Sequence, residues 1–164
     1  MLNSLLFGPF NQIEQSRDVY IAGLKAKGTP DAAISKALRT WGVSRHIYVA
    51  PTDAEALSEA KDAEMWYQNS LAQFLVPANL DIAPSSLRPQ FKALAKRLAS
   101  ITWEQLVRET VMFGSPDRVA DQVREMEEAG IGELLCWMSF GGLPRAKVER
   151  SMRLFAEKVI PRFR

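Results

Sequence analysis

The chain has 164 residues, of which 47% are hydrophobic and 24% are charged, proportions that are typical of a globular domain with a buried core. We expect one domain that spans residues 1–164. The 21 basic and 19 acidic residues leave a formal net charge of +2, and no run of like charge suggests binding to nucleic acid or to a membrane surface. No apolar run approaches the ~18 residues of a membrane span, and the start of the chain lacks a charged signal region, so we expect a cytoplasmic protein.

Histidine and cysteine each occur once in the chain, as His46 and Cys136. A single cysteine cannot form an internal disulfide, and the position of Cys136 inside an apolar segment favours a buried structural thiol. A zinc site of the usual kind needs several such ligands, so we expect no metal. His46 lies early in a predicted strand, away from the end where active sites form, which favours a packed or surface histidine over an acid or base.

The first half of the chain alternates between predicted strands and helices. Residues 4–7 form a short apolar run that a Gly-Pro pair ends, which predicts a strand. Helical spacing of apolar residues follows over residues 11–27, and a second strand is predicted at residues 45–50. Immediately after it, Thr52 and Glu55 have the spacing of a capping box, which predicts the start of a long helix.

The second half continues the alternation after an interruption at residues 76–86, whose prolines, asparagine and serines predict a loop or a lid. Helical texture returns over residues 87–100. Ser115 then has the position of a helix N-cap; a helix N-terminus is also a place where phosphate binds, but capping already explains this residue. The helix is expected to end at Gly130, and a last helix carries an apolar stripe up to Pro161.

A third strand is predicted at residues 133–140. Its apolar residues occupy both faces, with Leu134, Cys136 and Met138 on one face and Leu135 and Trp137 on the other. Such a strand is expected to be buried on both sides, as in a parallel sheet that helices cover. The predicted connections through helices have the length of βα crossovers, so the fold class is α/β.

A run of motifs near the end of the chain is distinctive. A helix starts at the sequence GSPD of residues 114–117 and ends at an Ala-Gly pair; an apolar strand, the pair Gly141-Gly142 and a closing helix with the sequence RSMRLFAE follow. This run closely resembles the C-terminal end of the luciferase-like flavin-dependent monooxygenases, the superfamily of bacterial luciferase. Earlier in the chain, SRHIYVAPTDAEALSEA resembles the seventh barrel strand of that family, and LLFGPFNQIEQSRDVYIAGLKAKG resembles the end of its sixth strand and its sixth helix.

The resemblance implies a (β/α)8 barrel of the TIM type. A complete barrel of this kind typically has ~250 residues and eight strands, whereas this chain offers three predicted strands. The chain then corresponds to about the last three βα units, as a helix-rich partial barrel, and residues 76–86 fall in the insertion after the seventh strand. In the family that insertion borders the active site, so a lid and a solvated loop both remain open as interpretations.

The resemblance also implies an activity. Enzymes of the family use reduced FMN, which a flavin reductase supplies, together with oxygen to oxidise an organic substrate. The first functional hypothesis is therefore the C-terminal part of such a monooxygenase. A second is a non-catalytic fragment that folds by self-association, as a homo-oligomer, or with a missing N-terminal half, since open strand edges and apolar surface need a covering partner. A third is a deazaflavin-dependent hydride-transfer oxidoreductase, because that group shares the barrel.

Functional residues in such folds lie at the carboxyl ends of the strands. The positions there give the candidate substrate-lining residues Phe7, Gly8 and Thr52 and the candidate cofactor-binding residues Ser139 and Gly141. For Gly141, a role in the turn is favoured over contact with a ligand. Most family residues that hold the flavin fall outside this chain, so we assign no catalytic residue.

Overall fold

The computed structural model describes residues 2–3 and 11–163 of the chain. Its strands are β1 (Leu2–Asn3), β2 (Gly42–Val49), β3 (Met112–Gly114) and β4 (Glu133–Trp137). Its α-helices are α1 (Asn11–Ala26), α2 (Asp31–Arg39), α3 (Asp53–Leu75), α4 (Arg88–Ala99), α5 (Trp103–Glu109), α6 (Pro116–Glu128) and α7 (Arg145–Leu154). Irregular helical turns continue from α7 to Phe163. The described chain is thus a helix-rich α/β structure with a small parallel sheet, which confirms the predicted class.

Strand β2 is the centre of the sheet. Its first half pairs in parallel with β1 and with β4, and its second half pairs in parallel with β3. The register places His46 beside Trp137, the last residue of β4. Beyond that point the backbone N–H of Val49 donates instead to the hydroxyl of Ser151 on α7, at 2.8 Å. Helix α7 is therefore tied directly to the carboxyl half of β2.

The observed strands differ from the predicted ones at their ends. β2 begins at Gly42, ahead of the predicted start at residue 45, and β4 stops at Trp137 rather than at residue 140. Strand β3 was not predicted, because a strand of 3 residues is too short to show an alternating pattern. The predicted first strand at residues 4–7 lies outside the described residues.

Local capping fixes the starts of α5 and α6, the second of them at the N-cap that the sequence predicts. Thr102 and Gln105 form a complete capping box at the start of α5, with hydrogen bonds of 3.2 and 3.1 Å between side chain and backbone. The hydroxyl of Ser115 accepts from the N–H of Arg118 at the start of α6. Gly130 has a φ of 82°, and this left-handed conformation lets the chain leave α6.

Helices cover the two faces of β2 with separate apolar cores. On one face, Ile47 packs with apolar residues of α1, of α6 and of the turns that end the chain. On the other face, Tyr48 packs against three alanines of α3, namely Ala56, Ala60 and Ala63. Because alanine side chains are short, α3 can lie close to the sheet. Every residue of β2 is consequently buried.

Strand β4 has only one covered face, so the prediction that it is buried on both sides is wrong. Leu134 and Cys136 pack against the core that α1 and α6 share, whereas Leu135 and Trp137 are 51% and 40% exposed. Among the described strands, β4 pairs with β2 alone. Burial of both faces requires a packing neighbour on each side, and apolar composition does not supply one.

The thiol of Cys136 lies on the covered face of β4. Burial raises its pKa to about 11, so at neutral pH it is a protonated and weakly nucleophilic group. This agrees with the structural role that the sequence predicts for the cysteine.

Residues 76–86 are irregular except for a 3-10 turn at Leu80–Ile82. The guanidinium of Arg88 donates to the backbone oxygens of Asp81 and Ala83 at 2.7 and 3.0 Å. It also pairs with the Asp81 carboxylate at 3.3 Å. These contacts tie the segment to the start of α4; its role as a lid stays a prediction.

Candidate functional site

Ser139, one of the two predicted site residues after β4, lies at the edge of an open hollow. This hollow, called the Trp137 hollow below, has a volume of about 480 Å³ and is lined by Leu135, Cys136, Trp137, Met138, Ser139 and Met152. The indole N–H of Trp137 donates to the backbone oxygen of Ser139 at 2.7 Å, which fixes the ring against the turn. None of these lining residues is charged, so the hollow favours an apolar ligand.

Gly141 also follows β4, but its backbone touches the protein itself. A Cβ at this position would lie 1.8 Å from the backbone oxygen of Ala63 on α3, and the φ of the residue is 56°. Both facts require glycine, because a side chain would collide with α3 and the left-handed conformation disfavours other residues. The turn role favoured by the sequence therefore has a physical basis, while contact with a cofactor stays a prediction.

Of the remaining predicted positions, Thr52 is described by the structure and does not line this hollow. Thr52 is exposed, and its hydroxyl accepts from the N–H of Glu55 at 3.2 Å, as an N-cap does. Phe7 and Gly8 lie outside the described residues, so their assignment as substrate-lining residues stays a prediction.

A buried polar cluster lies beside the hollow. Nδ1 of His46 is 2.6 Å from Oε2 of Glu64, and Nε2 of Gln68 donates to Oε1 of the same carboxylate at 2.7 Å. All three side chains are almost completely inaccessible to solvent. We call these residues the His46 cluster. A buried carboxylate is expensive unless hydrogen bonds satisfy it, and here each of its oxygens has a partner.

Aromatic rings surround the imidazole of His46. The ring of Phe140 stacks on it with centroids 4.5 Å apart, and the rings of Tyr67 and Trp137 meet it edge to face at 4.7 and 5.1 Å. These contacts hold the imidazole in one orientation. Trp137 is one of these rings and also lines the Trp137 hollow, so the same side chain contacts both the hollow and the His46 cluster.

The His46 cluster combines one confirmed prediction with two residues that sequence reasoning missed. His46 is packed, which is one of the two alternatives that the sequence left open, but its partners Glu64 and Gln68 were not identified. The missed signal is the (i, i+4) spacing of Glu64 and Gln68, which puts two polar side chains on one side of α3. A polar side chain inside an apolar strand needs a buried partner, so His46 gave reason to search α3 for one.

A second network joins α3 to α7 through charged groups. The hydroxyl of Tyr48 donates to Glu59 at 2.6 Å, and that carboxylate also pairs with Arg150 and, at 3.3 Å, with Lys147. Burial, followed by the hydrogen bond to Glu59, raises the pKa of Tyr48 to about 12. Burial alone would raise the pKa of Glu59, but hydrogen bonds from Tyr48 and Lys147 and the charge of Arg150 outweigh it and hold that pKa below its ordinary value. These charges satisfy one another, which indicates a structural link.

The N-terminus of α6, considered above for phosphate, already has an anionic partner. The backbone N–H of Ser115 donates to Oδ1 of Asp53 at 2.7 Å, and Arg118 is 3.8 Å from the same carboxylate. These contacts lower the pKa of Asp53, chiefly through the hydrogen bond from the Ser115 backbone. A carboxylate of the chain thus takes the position that a bound anion would use.

Metal clusters and membrane spans are two further features that bear on function. Residues 2–3 and 11–163 contain no group of three or more His, Cys, Asp or Glu side chains that could hold a metal ion. The same part of the chain contains no helix whose length and apolar character would allow it to cross a membrane.

Comparison with known proteins agrees with this architecture. Residues 1–133 match the family model for luciferase-like monooxygenases. The chain is 33% identical over 126 residues to 4-hydroxyprotoasukamycin monooxygenase of Streptomyces nodosus subsp. asukaensis, an alignment that covers 75% of the chain and 30% of that protein. It is 28% identical over 144 residues to 2,5-diketocamphane 1,2-monooxygenase 2 of Pseudomonas putida, with coverages of 79% and 34%. The chain belongs to the luciferase-like monooxygenase family, and it spans about a third of the length of these curated relatives.

Solved structures share the fold at low identity. Monooxygenase RslO1 from Streptomyces bottropensis superposes with a TM-score of 0.63 at 19% identity, covering 99% of this chain and 41% of that one. The oxygenating constituent of 3,6-diketocamphane monooxygenase from Pseudomonas putida, a type II Baeyer-Villiger monooxygenase in complex with FMN, gives 0.61 at 21% identity, with coverages of 98% and 41%. The coenzyme F420 dependent tetrahydromethanopterin reductase of Methanopyrus kandleri gives 0.53 at 18% identity, with coverages of 93% and 42%.

Proposed function

We propose that the chain forms the last three βα units of a flavin-dependent monooxygenase barrel and supplies one wall of its active site. In this proposal the complete site uses reduced FMN, which a reductase provides, and oxygen to oxidise an apolar organic substrate. The observation that carries the proposal is the exposed apolar face of β4, where Leu135 and Trp137 adjoin the buried His46 cluster.

The arrangement of strands supports a section of a barrel. β1, β2 and β4 are parallel neighbours, and helices connect each of them to the next along the chain. In such a barrel, helices cover the outer face of every strand and the inner face meets the interior. On β4 the face with Leu134 and Cys136 is covered, and the face with Leu135 and Trp137 is exposed. In the proposal, this exposed face is assigned to the barrel interior, where helix α3 lies over the same side of the neighbouring strand at Tyr48.

FMN has two parts that a protein must accommodate, an aromatic ring system and a phosphate. The Trp137 hollow offers an apolar wall of suitable size for the rings, with aromatic and thioether side chains. It offers no cation among the described residues that line it, so the residues present fit the ring system and not the phosphate. In the proposal the phosphate is held by the part of the barrel that lies outside this chain.

In the proposal, residues of this wall position the flavin ring system and shield it from water. Trp137 and Leu135 would contact the ring system and exclude water from it, while the bond from Trp137 to the Ser139 backbone keeps the indole in place. Gly141 lets the following turn pack closely on α3. The flavin, once bound, would supply the electrons for activating oxygen.

The proposal is tested by titrating the purified chain with FMN and with lumiflavin, which has the ring system and no phosphate. We expect saturable quenching of flavin fluorescence with similar affinities for both, because the wall contacts the rings alone. Trp137→Ala should weaken binding by about tenfold. Trp66→Ala is the matched control, since Trp66 is 61% exposed on α3 and does not line the hollow.

Absence of saturable binding to either flavin would overturn the assignment of the wall. Equal losses in the two tryptophan variants would do the same, because they would indicate unspecific adsorption to exposed indoles. The deazaflavin alternative enters the same experiment: a deazaflavin that binds at least tenfold more tightly than lumiflavin would favour hydride transfer over monooxygenation. Light scattering on the same samples gives the mass, which is expected to exceed that of a monomer if the uncovered face associates with a second copy.

A further inference from the structure

The methionine side chains of this chain differ widely in their access to solvent. Among the described residues, Met112, Met126 and Met138 are buried, with 8% exposure or less, and Met65 is half-buried. Met152 is 51% exposed and lines the Trp137 hollow. Peroxides oxidise methionine at the sulfur atom, and the reagent has to reach that atom. Access therefore distinguishes Met152 from the other described methionines.

The position of Met152 is set by its neighbours on α7. The hydroxyl of Ser151 accepts from the backbone N–H of Val49 on β2 at 2.8 Å, and Ser151 is fully buried. The guanidinium of Arg150 pairs with Glu55 on α3 at 3.1 Å. Because these two residues anchor α7 to β2 and to α3, the rotation of the helix is fixed. Met152 is consequently presented to the hollow.

Two other sulfur groups line the same hollow, and both are protected. Burial raises the pKa of Cys136 to about 11, so its thiol is protonated at neutral pH and reacts slowly with peroxide. Met138 is buried and packs in the core that α1 and α6 share. Among the described residues that line the hollow, Met152 therefore has the sulfur atom that is most open to a peroxide.

Oxidation of this side chain changes the polarity of the hollow. The thioether sulfur takes one oxygen atom from hydrogen peroxide: an S–O bond forms, the O–O bond breaks, and the other oxygen leaves as water. Sulfur loses two electrons, and the peroxide is reduced. The sulfoxide is polar, whereas none of the residues that line the hollow is charged. An aromatic ligand that packs on the sulfoxide has to desolvate it, so the ligand binds less tightly.

We propose that Met152 is a site of reversible oxidation, at which a peroxide makes the Trp137 hollow polar and lowers its affinity for aromatic ligands. The inference rests on the proposed function for the source of the peroxide. Hydrogen peroxide forms when oxygen takes two electrons and two protons from reduced flavin and no substrate is oxidised. Oxidation of Met152 then weakens flavin binding after such unproductive turnover. The modification itself, and its effect on the hollow, can be measured without flavin.

The test treats the purified chain with hydrogen peroxide and follows each methionine by peptide mass mapping. We expect Met152 to gain one oxygen atom about tenfold faster than Met112 and Met126, because exposure governs the reaction. The oxidised chain should bind two probes, lumiflavin and the apolar dye anilinonaphthalenesulfonate, about fivefold more weakly. Methionine sulfoxide reductases A and B, with a dithiol as the reductant, should restore both affinities.

Three variants separate this modification from other oxidative damage. Met152→Leu has no sulfur at the site, so its treated and untreated forms should bind the probes equally. Met152→Gln has a polar end and a similar length, so it should show the weaker binding without any peroxide. Met65→Leu is the control, since Met65 is half-buried and does not line the hollow. This variant should lose affinity on oxidation as the wild type does.

Each part of the inference has its own opposing result. Oxidation of Met152 no faster than that of Met112 would overturn the site, and unchanged dye binding after complete oxidation of Met152 would overturn its effect. An equal loss of affinity in treated Met152→Leu would do so too, because the damage would lie elsewhere. Absence of dye binding to the untreated chain would contradict the apolar hollow that the inference requires. Failure of lumiflavin alone to bind the untreated chain would count against the proposed function, while the peptide map and the dye still decide the inference.

Discussion

Strands β2 and β4 pair with each other in parallel and have very different surroundings. All 8 residues of β2 are buried, whereas burial along β4 alternates with exposure at Leu135 and Trp137. β2 has strand neighbours along its length and helices over both faces. β4 has one described strand neighbour and one covered face. How much of a strand is buried therefore depends on the strands and helices that pack against it, and its apolar composition alone does not determine it.

The difference is also chemical, because the boundary between the two regions carries the polar groups. Tyr48 lies on the face of β2 that α3 covers, and its hydroxyl donates to Glu59. One pleat earlier, beside the uncovered part of β4, His46 keeps an unsatisfied nitrogen. Unsatisfied atoms are not confined to this boundary, since Nε of Arg150 in the Glu59 network is also buried without a hydrogen-bond partner among the described residues.

The largest expected effect concerns the turn that joins the uncovered strand to the covered helix. Gly141→Ala would place a Cβ 1.8 Å from the backbone oxygen of Ala63 at a φ of 56°, so α3 and the turn would have to separate. Overpacking and left-handed strain together predict a loss of about 3–5 kcal/mol in the free energy of unfolding. Urea-induced unfolding followed by circular dichroism measures this loss.

Gly142→Ala is the matched control for that substitution. Gly142 has a φ of 76°, but nothing lies within 4 Å of the position that a Cβ would take there, so only the backbone strain of about 1–2 kcal/mol applies. Equal losses in the two variants would mean that the turn does not pack on α3. The turn after β4 and helix α3 would then not be in the close contact that joins the two regions.

An intermediate effect is expected from the Glu59 network, which links α3 to α7 on the covered side. The folded-state pKa of Glu59 is held below its ordinary value of 4.5. Its charge therefore contributes stability that is fully present above pH 4.5 and is lost as the pH falls through the lower, folded-state pKa. Glu59→Gln should cost about 1–2 kcal/mol at pH 7 and markedly less at pH 3.

The measurement is the free energy of unfolding of both proteins at the two pH values. Gln retains an oxygen that can accept from Tyr48, so the substitution mainly removes the charge that Arg150 and Lys147 face. Glu149→Gln provides a control, because its pair with Arg145 on α7 is largely exposed and such pairs contribute little. A loss at pH 3 as large as that at pH 7 would contradict the electrostatic explanation.

Local features of this fold could be predicted from the sequence because short-range chemistry determines them. Thr102 and Gln105 form the capping box that their spacing indicates, and Ser115 caps α6. Gly130 ends that helix with the expected positive φ. Each of these interactions joins residues that are close in the chain, so a sequence pattern contains all the partners.

The candidate site could not be predicted in the same way, because its partners are distant in the chain. Glu64 meets His46 across 18 positions, and Gly141 meets Ala63 across the gap between β4 and α3. Apolar spacing shows which face of a helix points inward, but it does not show which residues of other elements that face contacts. Leu135 is exposed because no described element covers its face of β4. A local sequence pattern does not show whether such a covering element exists.

The smallest expected effect falls on that uncovered face and separates the two regions most directly. Leu135→Ser removes an apolar side chain that is already 51% exposed, so the free energy of unfolding should change by no more than about 0.5 kcal/mol. Leu134→Ser, one residue earlier and facing the packed core, should cost about 2 kcal/mol. A Leu135→Ser cost that matches the Leu134→Ser cost and grows with protein concentration would mean that a second copy covers this face in solution. Burial of both faces of β4 would then be a property of the assembly, because the single chain has no described neighbour there to provide it.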